Sequence, residues 1–314
     1  MPTSEPTLSL VVPLYNEADN LGMLFERVAK VCARLQVTYE IVCVDDGSRD
    51  DTVSLVLKHR HHNPCIKLVV LSRNFGKEIA LSAGLDAATG AAIVPLDADL
   101  QDPPELIETL MKRWKAGYDV VLATRKTRRG DRWFKRFAAK GFYRTIGRLS
   151  PLSIPANTGD FRLMDCKVVD AIKQMPERSR FMKGMFAWVG FRTTQVFYDR
   201  PSRYRGQTSW STWKLWNLAV EGIASFSTVP LKVWSYLGAV VSCIAFFYGT
   251  LLLIRTLIFG VDVPGYASTM VAILFLGGIQ LVSLGILGEY LARVYQEVKQ
   301  RPLYIVQQTY GFEE

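Results

Sequence analysis

The chain has 314 residues, with 38 Lys and Arg against 29 Asp and Glu, a formal net charge of +9; that length holds one large domain and a small appendage. The basic balance suits anionic partners such as nucleotide phosphates or an anionic membrane face, and no zinc-finger or RNA-binding motif is present, which sets nucleic acid aside. Cys32, Cys43, Cys65, Cys166 and Cys243 show no metal-ligand spacing and are expected to be reduced and mostly buried in a cytosolic domain, and the polar stretch from Met1 to Pro6 is not expected to be a secretory signal.

Residues 8 to 125 alternate apolar runs with amphipathic stretches. The pattern predicts strands at 8–14, 39–45, 66–72, 91–97 and 118–124, and helices at 19–35, 51–61, 77–88 and 103–116. That alternation predicts an α/β domain with a doubly wound, mainly parallel sheet. The first strand runs into the polar loop Tyr15-Asn16-Glu17. The second ends in Asp45-Asp46-Gly47-Ser48, where the two acids read equally as a helix-capping pair. Lys77 stands at a helix start, within reach of phosphates, but is expected to be a solvated lysine.

The fourth strand leads into Asp97-Ala98-Asp99-Leu100-Gln101-Asp102-Pro103-Pro104-Glu105. Two carboxylates and an amide at alternate positions make an oxygen-rich face of the kind that hard divalent cations holding phosphates require. Asp102 is expected to cap the next helix, Pro103 to take its first position and Glu105 to complete a capping box. A turn with ordinary capping acids is the plainer alternative. Three polar clusters thus fall at the C-terminal ends of successive strands, the edge where open parallel sheets bind ligands.

Residues 126 to 228 are richer in Arg, Lys and aromatics. Phe134, Phe137, Phe142, Ile146 and Leu149 recur at helical spacing with basic residues between them, and Trp210, Trp213 and Trp216 stand three apart. Both stretches predict amphipathic helices at a membrane interface, with core packing as the alternative. Over 229 to 292, two uncharged runs, Val233 to Ile254 and Val263 to Gly288, predict two transmembrane helices rather than buried core helices. The first has 22 residues, about 33 Å as a helix. Trp234, Tyr236 and Tyr290 fall where interfacial aromatics belong. Arg203, Arg205, Lys214 and Lys232 precede the first run, Arg293, Lys299 and Arg301 follow the second, and Arg255 and Asp262 alone lie between. The positive-inside rule then places both termini in the cytoplasm, at the plasma membrane. In the tail, 293–314, Leu303 to Val306 predicts a short strand pairing with the head or with another subunit, which leaves a homo-oligomer open.

Val12-Pro13-Leu14-Tyr15-Asn16-Glu17, Val44-Asp45-Asp46-Gly47-Ser48 and the Asp97 to Glu105 block resemble the signature blocks of family 2 glycosyltransferases with the GT-A fold. With two membrane helices following, the chain is similar to the polyprenyl-phosphate glycosyltransferases, among them bactoprenol glucosyltransferases and dolichyl-phosphate mannose synthases. The resemblance runs from residue 8 to about residue 300. It divides the head into a nucleotide-sugar half, 1–125, and an acceptor half, 126–228.

The resemblance implies inverting transfer of a hexose from a nucleotide sugar to a polyprenyl phosphate, with Mg²⁺ or Mn²⁺ as cofactor. Asp99 is then the first metal ligand, with Asp97 and Gln101 completing the set, unless Asp97 bonds the ribose. Pro13, Tyr15 and Glu17 would line the base and ribose pocket, Asp45 would bond the base edge, and Asp46, Gly47 and Ser48 would shape the adjoining turn. Asp160, in Asn157-Thr158-Gly159-Asp160-Phe161-Arg162, falls where inverting members keep a catalytic carboxylate; a turn aspartate bonding local amides is the alternative.

A phosphate monoester has a second pKa of about 6, so the acceptor is mostly dianionic and needs no strong general base. Holding two phosphorylated groups together requires cations instead. Arg125, Arg128 and Arg132, Lys183, and Arg205 with Ser209 in Arg205-Gly206-Gln207-Thr208-Ser209 are the candidates for the acceptor phosphate. Each arginine taken singly reads as a surface charge. UDP-glucose and undecaprenyl phosphate are the expected substrates, with GDP-mannose or an aminoarabinose nucleotide as alternative donors. A processive polysaccharide synthase would carry Gln-x-x-Arg-Trp, which this chain lacks. The alternative of another class is a non-catalytic, membrane-anchored nucleotide-binding module.

Overall fold

The computed structural model describes residues 6–126, 158–175, 177–178, 180, 182–199, 229–259 and 265–312. The chain divides into two units, a head that includes the C-terminal tail and a helical unit spanning 220–300. The predicted interfacial helices at 133–149 and 210–216, and the candidates Arg128, Arg132, Arg205 and Ser209, lie outside the described residues.

The head runs β1 (Leu8–Leu14), α1 (Ala18–Leu35), β2 (Tyr39–Asp45), α2 (Thr52–His62), β3 (Ile66–Leu71), α3 (Lys77–Ala87), β4 (Ala92–Pro95), a single 3-10 turn (Pro104–Leu106), α4 (Ile107–Lys115), β5 (Val120–Arg125), β6 (Thr158–Asp165), α5 (Cys166–Lys173), α6 (Met182–Trp188) and β7 (Thr193–Tyr198), and the tail adds β8 (Val306–Tyr310). The strands form one sheet in the order β7-β5-β6-β4-β1-β2-β3-β8. Its centre is parallel: β1 pairs with β2 and β4, and β2 with β3. β6 enters antiparallel between β4 and β5, and β8 closes the far edge antiparallel to β3. The expected α/β sheet is therefore present in a mixed form.

The central strands are mostly apolar because helices cover both faces. Leu8, Leu10, Val11, Val12, Ile41 and Val42 are fully buried. α1 buries Leu21, Leu24, Phe25, Val28, Val31 and Cys32, an i, i+3, i+4 stripe. Gln36, at φ 52°, ends it in the left-handed region and donates its N–H to Cys32 O. α3 approaches so closely that a Cβ on Gly84 would lie 2.3 Å from Val11 Cγ1. Of the cysteines, Cys32 and Cys43 are buried; Cys166 and Cys243 are exposed, against expectation, and all five are free thiols.

The capping box is not formed. Asp102 is buried and accepts the Tyr198 hydroxyl from β7, while Glu105 reaches across to α1 and pairs with Arg27 at 2.6 Å. A long-range partner for each acid outweighs the local cap, and α4 begins only after the 3-10 turn. The tail strand forms at Val306–Tyr310, later than expected, and of the two predicted partners it takes the head. Tyr304 donates to Asp86 Oδ2 at 2.8 Å, and Ser72 N–H donates to Ile305 O at 2.9 Å.

The helical unit contains α7 (Val229–Phe259) and α8 (Tyr266–Val298). Among the described residues, one stretch, Phe275–Val298, is long and apolar enough to cross a membrane. Large apolar side chains on both helices face outward, Phe246 and Leu281 among them.

Candidate active site

The loops after β1, β2, β3 and β4 meet at one edge of the sheet. Asn16, at φ 55°, follows β1; its N–H donates to Ser48 Oγ at 2.9 Å, and its Oδ1 accepts Arg49 N–H at 2.8 Å. The Tyr15 loop is thus stitched to the turn after β2. Tyr15 itself is exposed, Pro13 is half-buried, and Glu17 accepts the Asn20 side-chain amide at 2.6 Å.

Asp45 and Asp46 cap no helix, since α2 begins only at Thr52. Asp45 Oδ2 accepts Ser48 N–H at 3.2 Å, while Oδ1 is buried with no protein partner. A buried acceptor without a donor is what the N–H edge of a nucleobase would satisfy. Asp46 accepts the N–H groups of Phe75 and Gly76 at 2.7 and 2.8 Å, so it anchors the loop after β3. Gly47 is needed there: at φ +72°, a Cβ would lie 2.7 Å from Asn74 N.

That loop delivers Lys77, the first residue of α3, and the expected solvated lysine is not what the structure contains. Its Nζ lies 2.7 Å from Asp97 Oδ1 and 3.1 Å from Asp160 Oδ2. The side chain keeps 46% of its surface, while Asp97 and Asp160 flank its ammonium. Desolvation alone would lower its pKa, but Asp97 and Asp160 together raise it well above the usual lysine range. On Asp160, burial pushes the carboxyl up, and Lys77, Lys183 and Arg162 outweigh it and hold the group ionised, well below the usual carboxylate range. Asp97 goes the other way: burial and the Asp160 charge prevail over Lys77 and raise it. One ammonium serves two carboxylates, and Asp160 has two further cations.

Two members of this cluster escaped the sequence reading. Arg162 is buried, donates through Nη2 to Gly159 O at 2.8 Å and stacks 4.1 Å above the Phe186 ring. Burial lowers its pKa to about 10, with Asp160 and Glu78 opposing. The period of two along β6, which puts residues 160 and 162 on one face, is the signal that could have found it. Glu78 accepts Met182 N–H at 3.3 Å; burial and Asp160 push its carboxyl up to about 7. No sequence pattern marks it.

Asp99 Oδ1 accepts Gln101 N–H at 3.1 Å, across Leu100 at φ 58°. Arg125 ends β5 with Nη2 3.9 Å from Asp102 Oδ1 and Nε 3.5 Å from the Tyr198 hydroxyl, a loose hold on a partly exposed guanidinium. Burial and Asp102 raise the Tyr198 pKa to about 12, so it remains a donor. Among the described residues no three His, Cys, Asp or Glu side chains converge as a ready metal cage. The donor chemistry nevertheless fits a hard cation that keeps phosphate ligands: Asp97, Asp99 and Gln101 offer oxygens on one turn, and Asp160 Oδ1 is buried without a partner.

Two family models match the chain: Glycosyl transferase family 2 over residues 9–173 and the GtrB C-terminal hairpin over 229–294. The chain belongs to glycosyltransferase family 2. An uncharacterized glycosyltransferase of Synechocystis is 60% identical over 306 residues, 98% of this chain and 96% of the relative. The prophage bactoprenol glucosyl transferase homolog of Escherichia coli is 49% identical over 95% of this chain and 98% of its own length. The bactoprenol glucosyl transferase of Shigella phage SfII is 48% identical over 96% and 98%. This family 2 chain therefore resembles these relatives from its first strand to its helical hairpin.

Proposed function

We propose that the protein transfers glucose from UDP-glucose to a polyprenyl phosphate, undecaprenyl phosphate in the first instance, with inversion, at the cytoplasmic face of the plasma membrane. The observation that carries this reading is the Lys77 bridge. It brings Asp160, the candidate for the acceptor side, to the same ammonium as Asp97, on the donor side. The names of the relatives support the acceptor and the sugar.

In this reading Asp45 Oδ1 accepts from the uracil edge, and the Asp46-anchored loop sets the floor of the nucleotide pocket. Asp99, Asp97 and Gln101 would hold a Mg²⁺ or Mn²⁺ ion, which would supply Lewis-acid neutralisation of the leaving diphosphate. Arg125 and Lys183, with Arg128, Arg205 and Ser209 from the acceptor half, hold the lipid phosphate. A phosphate oxygen attacks the anomeric carbon as the bond to the donor β-phosphate oxygen breaks, and UDP leaves. Asp160, ionised, orients the acceptor and stabilises the cationic sugar centre. α7 and α8 each span the bilayer with both termini in the cytoplasm; their outward-facing apolar side chains support lipid contact over a buried core.

The test is a radiolabel panel. UDP-glucose, UDP-galactose and GDP-mannose are each offered with undecaprenyl phosphate and Mg²⁺ or Mn²⁺, and the lipid product is extracted. Label entering the lipid phase from UDP-glucose is the expected result. Donor binding without transfer from any sugar nucleotide would favour the non-catalytic module.

A further inference from the structure

Lys77 Nζ stands 2.7 Å from Oδ1 and 2.8 Å from Oδ2 of Asp97. Both oxygens of that carboxylate therefore face a single cation, as they would face a bidentate metal ion. The same ammonium lies 3.1 Å from Asp160 Oδ2, and Asp160 Oδ1 is buried and unpartnered. Lys183 and Arg162 also act on Asp160. The acidic neighbours of Asp97, Asp160 and Asp102, repel it, so Lys77 is the cation that holds it. Lys77 opens α3 directly after Gly76, at φ 103°, and its four-carbon stem lets the ammonium move while the helix stays fixed.

We propose that Lys77 is a built-in placeholder cation. With no donor bound, it holds Asp97 and Asp160 together and competes with the divalent ion for Asp97. When the nucleotide diphosphate arrives, the ammonium exchanges Asp97 for phosphate oxygens and leaves that carboxylate to the ion. The inference rests on the reading above that Asp97 belongs to the ion and donor site. Its consequence is contrary to the usual effect of altering an active-site cation. Removing the positive charge leaves two close carboxylates without their shared counter-charge, so a divalent ion should bind the empty site more tightly.

Mn²⁺ binding to the full chain in detergent, followed by electron paramagnetic resonance of the free ion, tests this. Wild type, Lys77→Met, Lys77→Gln and Lys77→Arg are titrated with and without UDP, with thermal melts as the folding control. Without nucleotide, Lys77→Met and Lys77→Gln should bind Mn²⁺ on the order of tenfold more tightly than wild type, the effect of deleting a close competing charge. Lys77→Arg should stay near wild type. The gain in Mn²⁺ affinity that UDP confers on wild type should shrink in the two neutral variants. If wild type binds Mn²⁺ with UDP and a folded neutral variant shows unchanged or weaker affinity, the placeholder role is overturned and the ion site stands. If neither wild type nor the variants bind Mn²⁺ even with UDP, the ion site and the placeholder role fall together.

Discussion

The guanidinium of Arg162 donates to the carbonyl oxygen of Gly159 at 2.8 Å, so a buried cation fixes the main chain beside Asp160. It also faces the charges of Asp160 and Glu78. Arg162→Met removes the hydrogen bond and leaves two half-buried acids with less compensation, which costs about 3 kcal/mol. Arg162→Lys restores the charge but not the fork or the stacking on Phe186, and should recover part of that loss. Thermal unfolding of the detergent-solubilised variants is the measurement; equal melting temperatures for Met and wild type would contradict the assignment.

Gly47 interlocks two loops of the nucleotide pocket. A Cβ there would meet Arg73 C at 2.8 Å as well as Asn74 N, at a backbone angle of +72°. Gly47→Ala should cost about 1–3 kcal/mol in stability and weaken UDP-glucose binding roughly tenfold, which at about 1.4 kcal/mol is within that range. Calorimetric titration with UDP-glucose checks the second figure.

Glu40 sets part of the acid stability of the head. It is buried, accepts from the Ser9 hydroxyl and from Thr89 N–H at 2.7 Å, and forms an ion pair with Lys67 Nζ at 2.7 Å. Burial pushes its carboxyl up, but Lys67, Ser9 and Thr89 outweigh it and hold the pKa below the ordinary glutamate value of 4.5. Because the folded pKa is depressed, the contribution is present above the unfolded value and is lost as pH falls through the folded one. Glu40→Gln should cost about 2 kcal/mol near pH 7 and flatten the decline in stability below pH ~5. Melting curves at stepped pH show whether the two profiles converge in acid.

The tail closes the β3 edge of the sheet. Deleting residues 303–314 removes β8 and the Tyr304–Asp86 bond, leaving the backbone groups of β3 open to pairing with other chains. The truncated protein should melt lower and elute as aggregate on size exclusion. Tyr304→Phe should lose only about 1 kcal/mol or less. A truncated chain that melts and elutes like the full one would show that β8 does not guard this edge.

Strands β1 and β2 were legible because unbroken apolar runs end in clustered polar residues, and their bounds agree with the pattern. The meeting of the Tyr15 loop, the Asp45 turn and the Asp97 block followed from that alternation. What was illegible depends on partners distant in sequence. Asp102 looked like a helix cap, but its donor, Tyr198, lies on β7. Lys77 looked solvated, because nothing local reveals that α3 aims it between β4 and β6. β8 carries Gln307, Gln308 and Thr309, an edge strand without an apolar stripe, so the apolar Leu303 to Val306 drew the prediction too early.

The central claim is that Asp160 acts in glycosyl transfer rather than in holding the donor. Asp160→Asn keeps the size of the side chain and removes its charge. Transfer of labelled glucose from UDP-glucose to undecaprenyl phosphate, with UDP-glucose affinity measured on the same preparation, tests it directly. The variant should bind UDP-glucose within a few-fold of wild type and lose about two orders of magnitude or more in turnover. Turnover equal to wild type would contradict the account.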